Sequence, residues 1–394
     1  MVISRRAALA AGLAVPFIRL ARAADEPLRI GALCPLTGAG GHYGPSMVKV
    51  IQATADEINQ AGGIGGRQIA VTVADTQTNP DAGVAGGHKL IDVDRVSAVV
   101  GTWASAVTTA VAPLCWEAKV MLFTVSGADS ITKLPHHGYI IRTQPNTHLQ
   151  MTRATQFLLD NKAKRVFALA AQTPFAVDSY TRITEVLKAG GGEAIGQIIY
   201  DPKQTSFRSE IDRALGEKPD TLFLNAYAPD LAILLRELFQ AAYDGHRITP
   251  GYAATPKVLS SLQPELTNGL WSFAPSPDLD SPAYAAVRKI LGTQNPDPYS
   301  CQVYDHVNLI ALAVAKSGQA TGTAIHDAVR EVSQGSGQEV HSAIEGMKLL
   351  AAGTAVNYSG ASGPCDFTPE GDIISCKFRF DEVEGGQPKL LSLS

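Results

Sequence analysis

Two kinds of hydrophobic run alternate along this chain. Residues 28–33, 68–74, 97–100 and 119–125 are short, apolar and rich in Val, Leu, Ile and Ala, and they read as buried strands. Between them, residues 47–60, 79–92 and 106–118 place apolar side chains at the three- and four-residue spacing of a helix with one buried face. Ala61-Gly62-Gly63 stops the first of these helices, because glycine accepts the left-handed conformation that ends a helix. Strict alternation of strand and helix implies parallel strands with crossover helices, an open α/β sheet. The pattern restarts after Arg142-Thr143-Gln144-Pro145. Helices are expected at 148–161, 179–189, 206–215 and 229–243, and strands at 165–170, 195–200, 221–225 and 248–251. The second stretch repeats an architecture, not a sequence. After Trp271-Ser272-Phe273-Ala274-Pro275-Ser276-Pro277 come a helix-rich piece, 283–351, and a strand-like tail, 363–393.

One junction in this pattern carries candidate chemistry. The strand ending at Val99-Val100-Gly101 runs into Thr102-Trp103-Ala104-Ser105 and then a helix. Ser105 therefore sits at or next to a helix N-cap. Its hydroxyl either satisfies free backbone N–H groups of its own helix or helps those groups hold a ligand carboxylate.

The N-terminus stands apart from the fold. Ser4-Arg5-Arg6, an apolar run over 7–18, and Ala21-Arg22-Ala23 form an export leader over residues 1–23. The run is too short to span a bilayer, and no Cys near the cleavage point offers a lipid attachment. The leader resembles a twin-arginine signal without its usual Phe and Lys. Its removal takes Arg5, Arg6, Arg19 and Arg22 and no acid, so the formal charge moves from −4 to −8. An acidic exported protein with no basic block is a poor nucleic-acid binder. In an oxidising compartment Cys365 and Cys376, flanking the turn Thr368-Pro369-Glu370-Gly371-Asp372, are the pair expected to form a disulfide. Cys34, Cys115 and Cys301 read as buried small residues.

The motifs of α/β enzymes are missing. Gly38-Ala39-Gly40-Gly41-His42-Tyr43 fails the last glycine of a dinucleotide loop, and Asp75 lies much farther on than the roughly 20 residues such a loop requires. There is no Gly-Lys-Ser/Thr, and neither Ser105 nor Ser126 lies in Gly-x-Ser-x-Gly. The nine His show no metal-ligand spacing. No cofactor, no metal and no catalytic set is expected, and binding is favoured over catalysis.

At Pro35-Leu36-Thr37-Gly38, Tyr43-Gly44, Ile58-Asn59-Gln60-Ala61-Gly62-Gly63-Ile64-Gly65-Gly66, Asn79-Pro80, Ala226-Tyr227-Ala228-Pro229-Asp230 and Tyr304-Asp305, the chain resembles the extracytoplasmic solute-binding proteins of ABC transporters. The similarity is to the branched-chain amino acid and amide group. It implies the type I periplasmic-binding-protein fold: α/β, two Rossmann-like lobes joined by three crossing strands, near Thr143, Ala274 and Tyr358. The lobes would be 24–143 plus 275–357, and 144–274 plus 358–394. The resemblance implies a monomeric periplasmic receptor that closes on a small-molecule ligand and delivers it to a permease with ATPase subunits. A signalling receptor of the same fold and an exported α/β hydrolase are the alternatives. By the same resemblance Ser105, Ser126, Gly127 and Ala128 hold the ligand carboxylate, while Tyr43, Trp103, Phe175 and Tyr227 line the pocket. The family's amino acid binders carry a Glu after the strand ending near Gly251, where this chain reads Pro250-Gly251-Tyr252-Ala253-Ala254-Thr255. Either Asp129 or Asp178 replaces that acid, or the ligand is an amine-free acid or an amide.

Overall fold

The computed structural model describes residues 26–394, and the leader expected at 1–23 lies outside the described residues. Two sheets organise the chain. The first holds β1 (Leu28–Cys34), β2 (Ile69–Asp75), β3 (Ala98–Thr102), β4 (Met121–Thr124) and β5 (Ile140–Arg142), all parallel, in the order β2-β1-β3-β4-β5. The second holds β6 (Arg165–Ala171), β7 (Glu193–Tyr200), β8 (Thr221–Asn225), β9 (His246–Pro250) and β10 (Leu270–Ser276). Its parallel core, β7-β6-β8-β9-β10, repeats the order of the first sheet. β11 (Gln338–Val340) and β12 (Val356–Tyr358) form a separate parallel pair. β13 (Lys377–Glu384) and β14 (Gln387–Leu393) add an antiparallel hairpin beside β10. The strand order reverses between β1 and β3 in one sheet and between β6 and β8 in the other. In open α/β sheets the crevice beyond the carboxyl ends at such a switch point is where ligands bind.

Helices α1 (Gly44–Gln60), α2 (Pro80–His88) and α3 (Ser105–Glu117) connect the first sheet, and α2 runs on through a π-turn, Lys89–Val93. The second sheet uses α4 (Thr147–Asp160), α5 (Pro174–Ala189), α6 (Arg208–Gly216), α7 (Ala228–Gln240) and the short α8 (Pro256–Ser260) and α9 (Pro264–Thr267). Then α10 (Pro282–Leu291), α11 (Pro298–Ser317), α12 (Gly322–Ser333) and α13 (Ala343–Ala351) return to the first sheet, α11 packing on α1 and β3 and α12 on β4. Most of these helices start as their sequences dictate. Asn79, Asn146, Thr173, Ser281, Asp297, Thr321 and Ser342 each accept a backbone N–H from the turn they cap. No described helix is long and apolar enough to cross a membrane.

The chain passes between the sheets after Arg142, after Ser276 and after Tyr358, and α11 holds the first and last of these passages. Its residues are buried from Tyr299 to Val314. Gln302 Nε2 donates to Gln144 Oε1 (2.7 Å), and His306 Nε2 meets Thr143 Oγ1 (2.9 Å). Asp305 accepts from the Tyr358 hydroxyl (2.9 Å) and the backbone N–H of Ala361 (2.7 Å) and Ser362 (2.8 Å). Burial pushes the Asp305 carboxyl up to about 6. The buried Arg142 donates from Nε to Asp372 (2.5 Å) and from its backbone to Gly371 O (2.9 Å), tying the first passage to the last.

The expected Cys365–Cys376 disulfide is not formed, and both thiols are free. The reason is register. Phe367 bridges Ile373, and Ile374 N donates to Asp366 O (2.9 Å), which sets Cys365 opposite Ser375. A one-residue offset turns a side chain to the other face. Accordingly Cys365 Sγ faces Gly363 O and Cys376 Sγ faces Lys377 O.

Candidate functional site

The crevice between the two sheets contains a cavity lined on one side by Trp103, Ala104, Ser105, Val125 and Gly127. These follow β3 and β4. The other side comes from Thr173, Phe175, Tyr227 and Tyr252, which follow β6, β8 and β9. Each set lies at the carboxyl end of its sheet, where the strand order places it.

The α3 terminus is the polar end of this cavity. Its N-cap is Ala104, extended at φ −75° and ψ 128°, and no side chain caps it. The first bond of the turn runs from Thr108 N to Ala104 O (3.0 Å), so the N–H groups of Ser105, Ala106 and Val107 have no acceptor among the described residues. Ser105 does not cap its own helix. Its hydroxyl accepts instead from Ala128 N (3.2 Å), on the loop after β4. Free N–H groups at the positive end of a helix dipole, with a hydroxyl beside them, form a carboxylate site.

The 126–128 loop divides its labour differently from the expectation that all three residues touch ligand. Gly127 lines the cavity. A Cβ there would come within 2.8 Å of both Gln150 Nε2 and Phe175 Cε2, so only glycine lets the loop lie against these side chains. Ser126 is fully buried and faces the other way. Its Oγ donates to Trp103 O (2.8 Å) or Thr102 O (3.0 Å) and meets Thr108 Oγ1 (2.5 Å), fixing the β3–α3 turn. Ala128 uses its N–H on Ser105 and its carbonyl on Arg142 Nη1 (2.6 Å). Ser126 and Ala128 therefore position the site from behind.

Aromatic rings form the walls. The Trp103 ring centroid lies 5.7 Å from Tyr43, 5.8 Å from Tyr227, 5.7 Å from Tyr252 and 5.9 Å from Tyr299. Gly40 makes room for it, since a Cβ at that position would stand 2.6 Å from Trp103 Cε3. Phe175, in the first turn of α5, meets Tyr252 edge-on at 6.2 Å. Tyr43 lines a wider adjoining cleft that shares Gln150, Tyr252 and Tyr299 with the cavity, rather than the wall around Ser105. Tyr252 and Tyr299 were not singled out by the sequence. Tyr252 lies in the run where an acid is missing, and its hydroxyl donates to Asn225 Oδ1 (3.0 Å). Tyr299 opens α11, and no local pattern ties that helix to the crevice. The buried Gln144 and Gln150 are further lining residues without a sequence signal.

Neither acid proposed in place of the family's Glu reaches the cavity. Asp129 Oδ1 accepts from His148 N (3.0 Å), and burial raises its carboxyl above the usual range. Asp178 Oδ2 accepts from Ser130 N (3.1 Å) and Oγ (3.2 Å), a link between α5 and the turn after the 126–128 loop. Asp230, in the first turn of α7, accepts from the Tyr200 hydroxyl (2.7 Å) and Tyr227 N (3.1 Å), and burial pushes it up to about 6. Among the described residues no group of three or more His, Cys, Asp or Glu is placed to hold a metal ion.

Known proteins share this fold. A Leu/Ile/Val-binding protein, BraC3, of Rhizobium johnstonii is 26% identical over 79% of this chain and 87% of its own length. The structure of a leucine binding protein, LivK, from Thermotoga maritima superposes with a TM-score of 0.78 at 18% identity, covering 93% of this chain and 98% of that one. An ABC transporter solute-binding protein of R. palustris, solved with 4-hydroxybenzoate, gives a TM-score of 0.75 at 20% identity, covering 94% and 97%. Residues 27–387 match one family of proteins over nearly the whole described chain, and this chain belongs to that family, the periplasmic binding proteins.

Proposed function

We propose that this protein is an exported receptor that traps a small carboxylate-bearing solute between its two sheets and presents it to the permease of an ABC transporter, whose ATPase subunits drive uptake. The observation that carries this is the uncapped first turn of α3, with Ser105 bridging to the 126–128 loop inside the crevice. The names of the relatives, a Leu/Ile/Val-binding protein and a transporter solute-binding protein holding an aromatic acid, support the same use of the crevice. The lobes that close are 24–143 with 275–357, and 144–274 with 358–394. The receptor is a monomer without a cofactor, reaches the periplasm by its leader and performs no chemical step. Two or three hydrogen bonds to a carboxylate, at about 1.5–3 kcal/mol each, plus a buried apolar body at roughly 1.5–3 kcal/mol, reach the roughly −8 kcal/mol of a micromolar site after ordering costs.

The test is a thermal-shift panel of natural amino acids, their keto acids, aromatic acids and small amides. A solute that binds the folded state raises the melting temperature by mass action. A concentration-dependent shift with at least one carboxylate is expected. Shifts with none of them, or turnover of an ester or amide panel abolished by Ser105→Ala, would overturn this function.

A further inference from the structure

The twelve residues lining the Ser105 cavity include no Asp, Glu, Lys, Arg or His. Five of them are aromatic, and only Ala104 and Val125 are aliphatic. The acids that approach are already engaged: Asp230 by Tyr200 and Tyr227, Asp178 by Ser130, Asp129 by His148. Asp297, in the adjoining cleft, caps α11 through Ser300 N (2.9 Å) and Ser300 Oγ (2.7 Å).

An ammonium brought into this cavity would leave water and meet no carboxylate. The desolvation of the ion exceeds what a cation–π contact returns. A carboxylate has the opposite fate, because the α3 terminus supplies unused N–H groups. The body of the ligand then meets ring faces and edges. Aromatic pairs gain stabilisation beyond area burial that a branched aliphatic chain does not collect. We infer that the solute is an aromatic carboxylic acid without an ammonium group. This inference rests on the receptor function proposed above and narrows it to one ligand class.

Titration calorimetry on the exported protein separates the parts with matched pairs: phenylpyruvate and phenylalanine, 4-methyl-2-oxopentanoate and leucine, together with benzoate and glycine betaine. Phenylpyruvate is expected to bind at least tenfold tighter than phenylalanine and at least threefold tighter than 4-methyl-2-oxopentanoate, with benzoate also binding. Amino acids equal to or tighter than their keto acids would overturn the exclusion of the ammonium, as would glycine betaine as the tightest ligand. An aliphatic keto acid equal to phenylpyruvate would overturn the aromatic class. In each of these cases the receptor function survives. Binding of no carboxylate would overturn that function as well. Tyr252→Leu and Tyr299→Leu, on separate elements and checked for folding by circular dichroism, are each expected to weaken phenylpyruvate fivefold or more and 4-methyl-2-oxopentanoate less than twofold. Equal losses for both acids would overturn the role of the rings.

Discussion

The helices α3 and α7 occupy the same place in the two sheets. Each follows the strand beside the switch point, β3 in one case and β8 in the other, and each points its N-terminus at the crevice. They end differently. The first turn of α7 holds its own carboxylate, Asp230, which accepts from Tyr227 N at 3.1 Å. The first turn of α3 has no acid and no side-chain cap. In the receptor proposed above, the open α3 terminus takes the solute's carboxylate, whereas the α7 terminus is closed by Asp230 and by Pro229, which has no N–H to offer. The closed terminus contributes Tyr227 as a wall instead.

The sharpest way to break this difference is to close the open terminus. Ala104→Asp gives α3 a carboxylate cap, and solute affinity by calorimetry is expected to fall more than a hundredfold, while first-turn acids favour the helix itself by about 0.3–1 kcal/mol. Retained affinity would mean that the solute carboxylate sits elsewhere. The reverse case concerns Asp230. Burial raises its carboxyl from 3.8 to about 6 in the folded state, so protonation favours folding. The stabilisation, about 3 kcal/mol at most, is fully present below pH 4 and is lost as pH rises through 6. Melting curves between pH 4 and 8 should therefore show the parent protein gaining stability over Asp230→Asn on acidification. A constant difference would show that Asp230 titrates normally.

Ser105→Ala leaves α3 open but removes the hydroxyl between it and the 126–128 loop. Affinity is expected to drop about tenfold, near 1.4 kcal/mol, with little change in melting temperature. Thr321→Ala is the control on a capped terminus away from the cavity. Thr321 Oγ1 accepts from Ala324 N (3.2 Å) at the start of α12, so its loss is expected to cost about 1 kcal/mol of stability in denaturant titration. Affinity should change less than threefold.

Much of the fold was legible because its signals are local. The β–α alternation and the Gly62-Gly63 stop rest on periodicity and backbone preference within a few residues, and the helices at 80–88 and 44–60 lie where those signals put them. Trp103, Ser105, Gly127, Phe175 and Tyr227 were accessible for a related reason: they sit at strand ends, and strand ends in an open sheet converge. Ser126 and Ala128 show where that logic stops. Being in the right loop does not say which way a side chain turns, and the hydroxyl of Ser126 is taken by Trp103 O or Thr102 O behind the site.

The sequence by itself determined the alternation of strands and helices and the family, because each depends on neighbours along the chain. Only the tertiary structure decided what lines the cavity. Tyr299 reaches it from α11, almost two hundred residues beyond Trp103, and the acids Asp129 and Asp178 are drawn away from it by His148 and Ser130. The same holds for Cys365 and Cys376, whose pairing failed on a one-residue register. Charge complementarity and strand register are properties of groups brought together across the fold, and no local spacing encodes them.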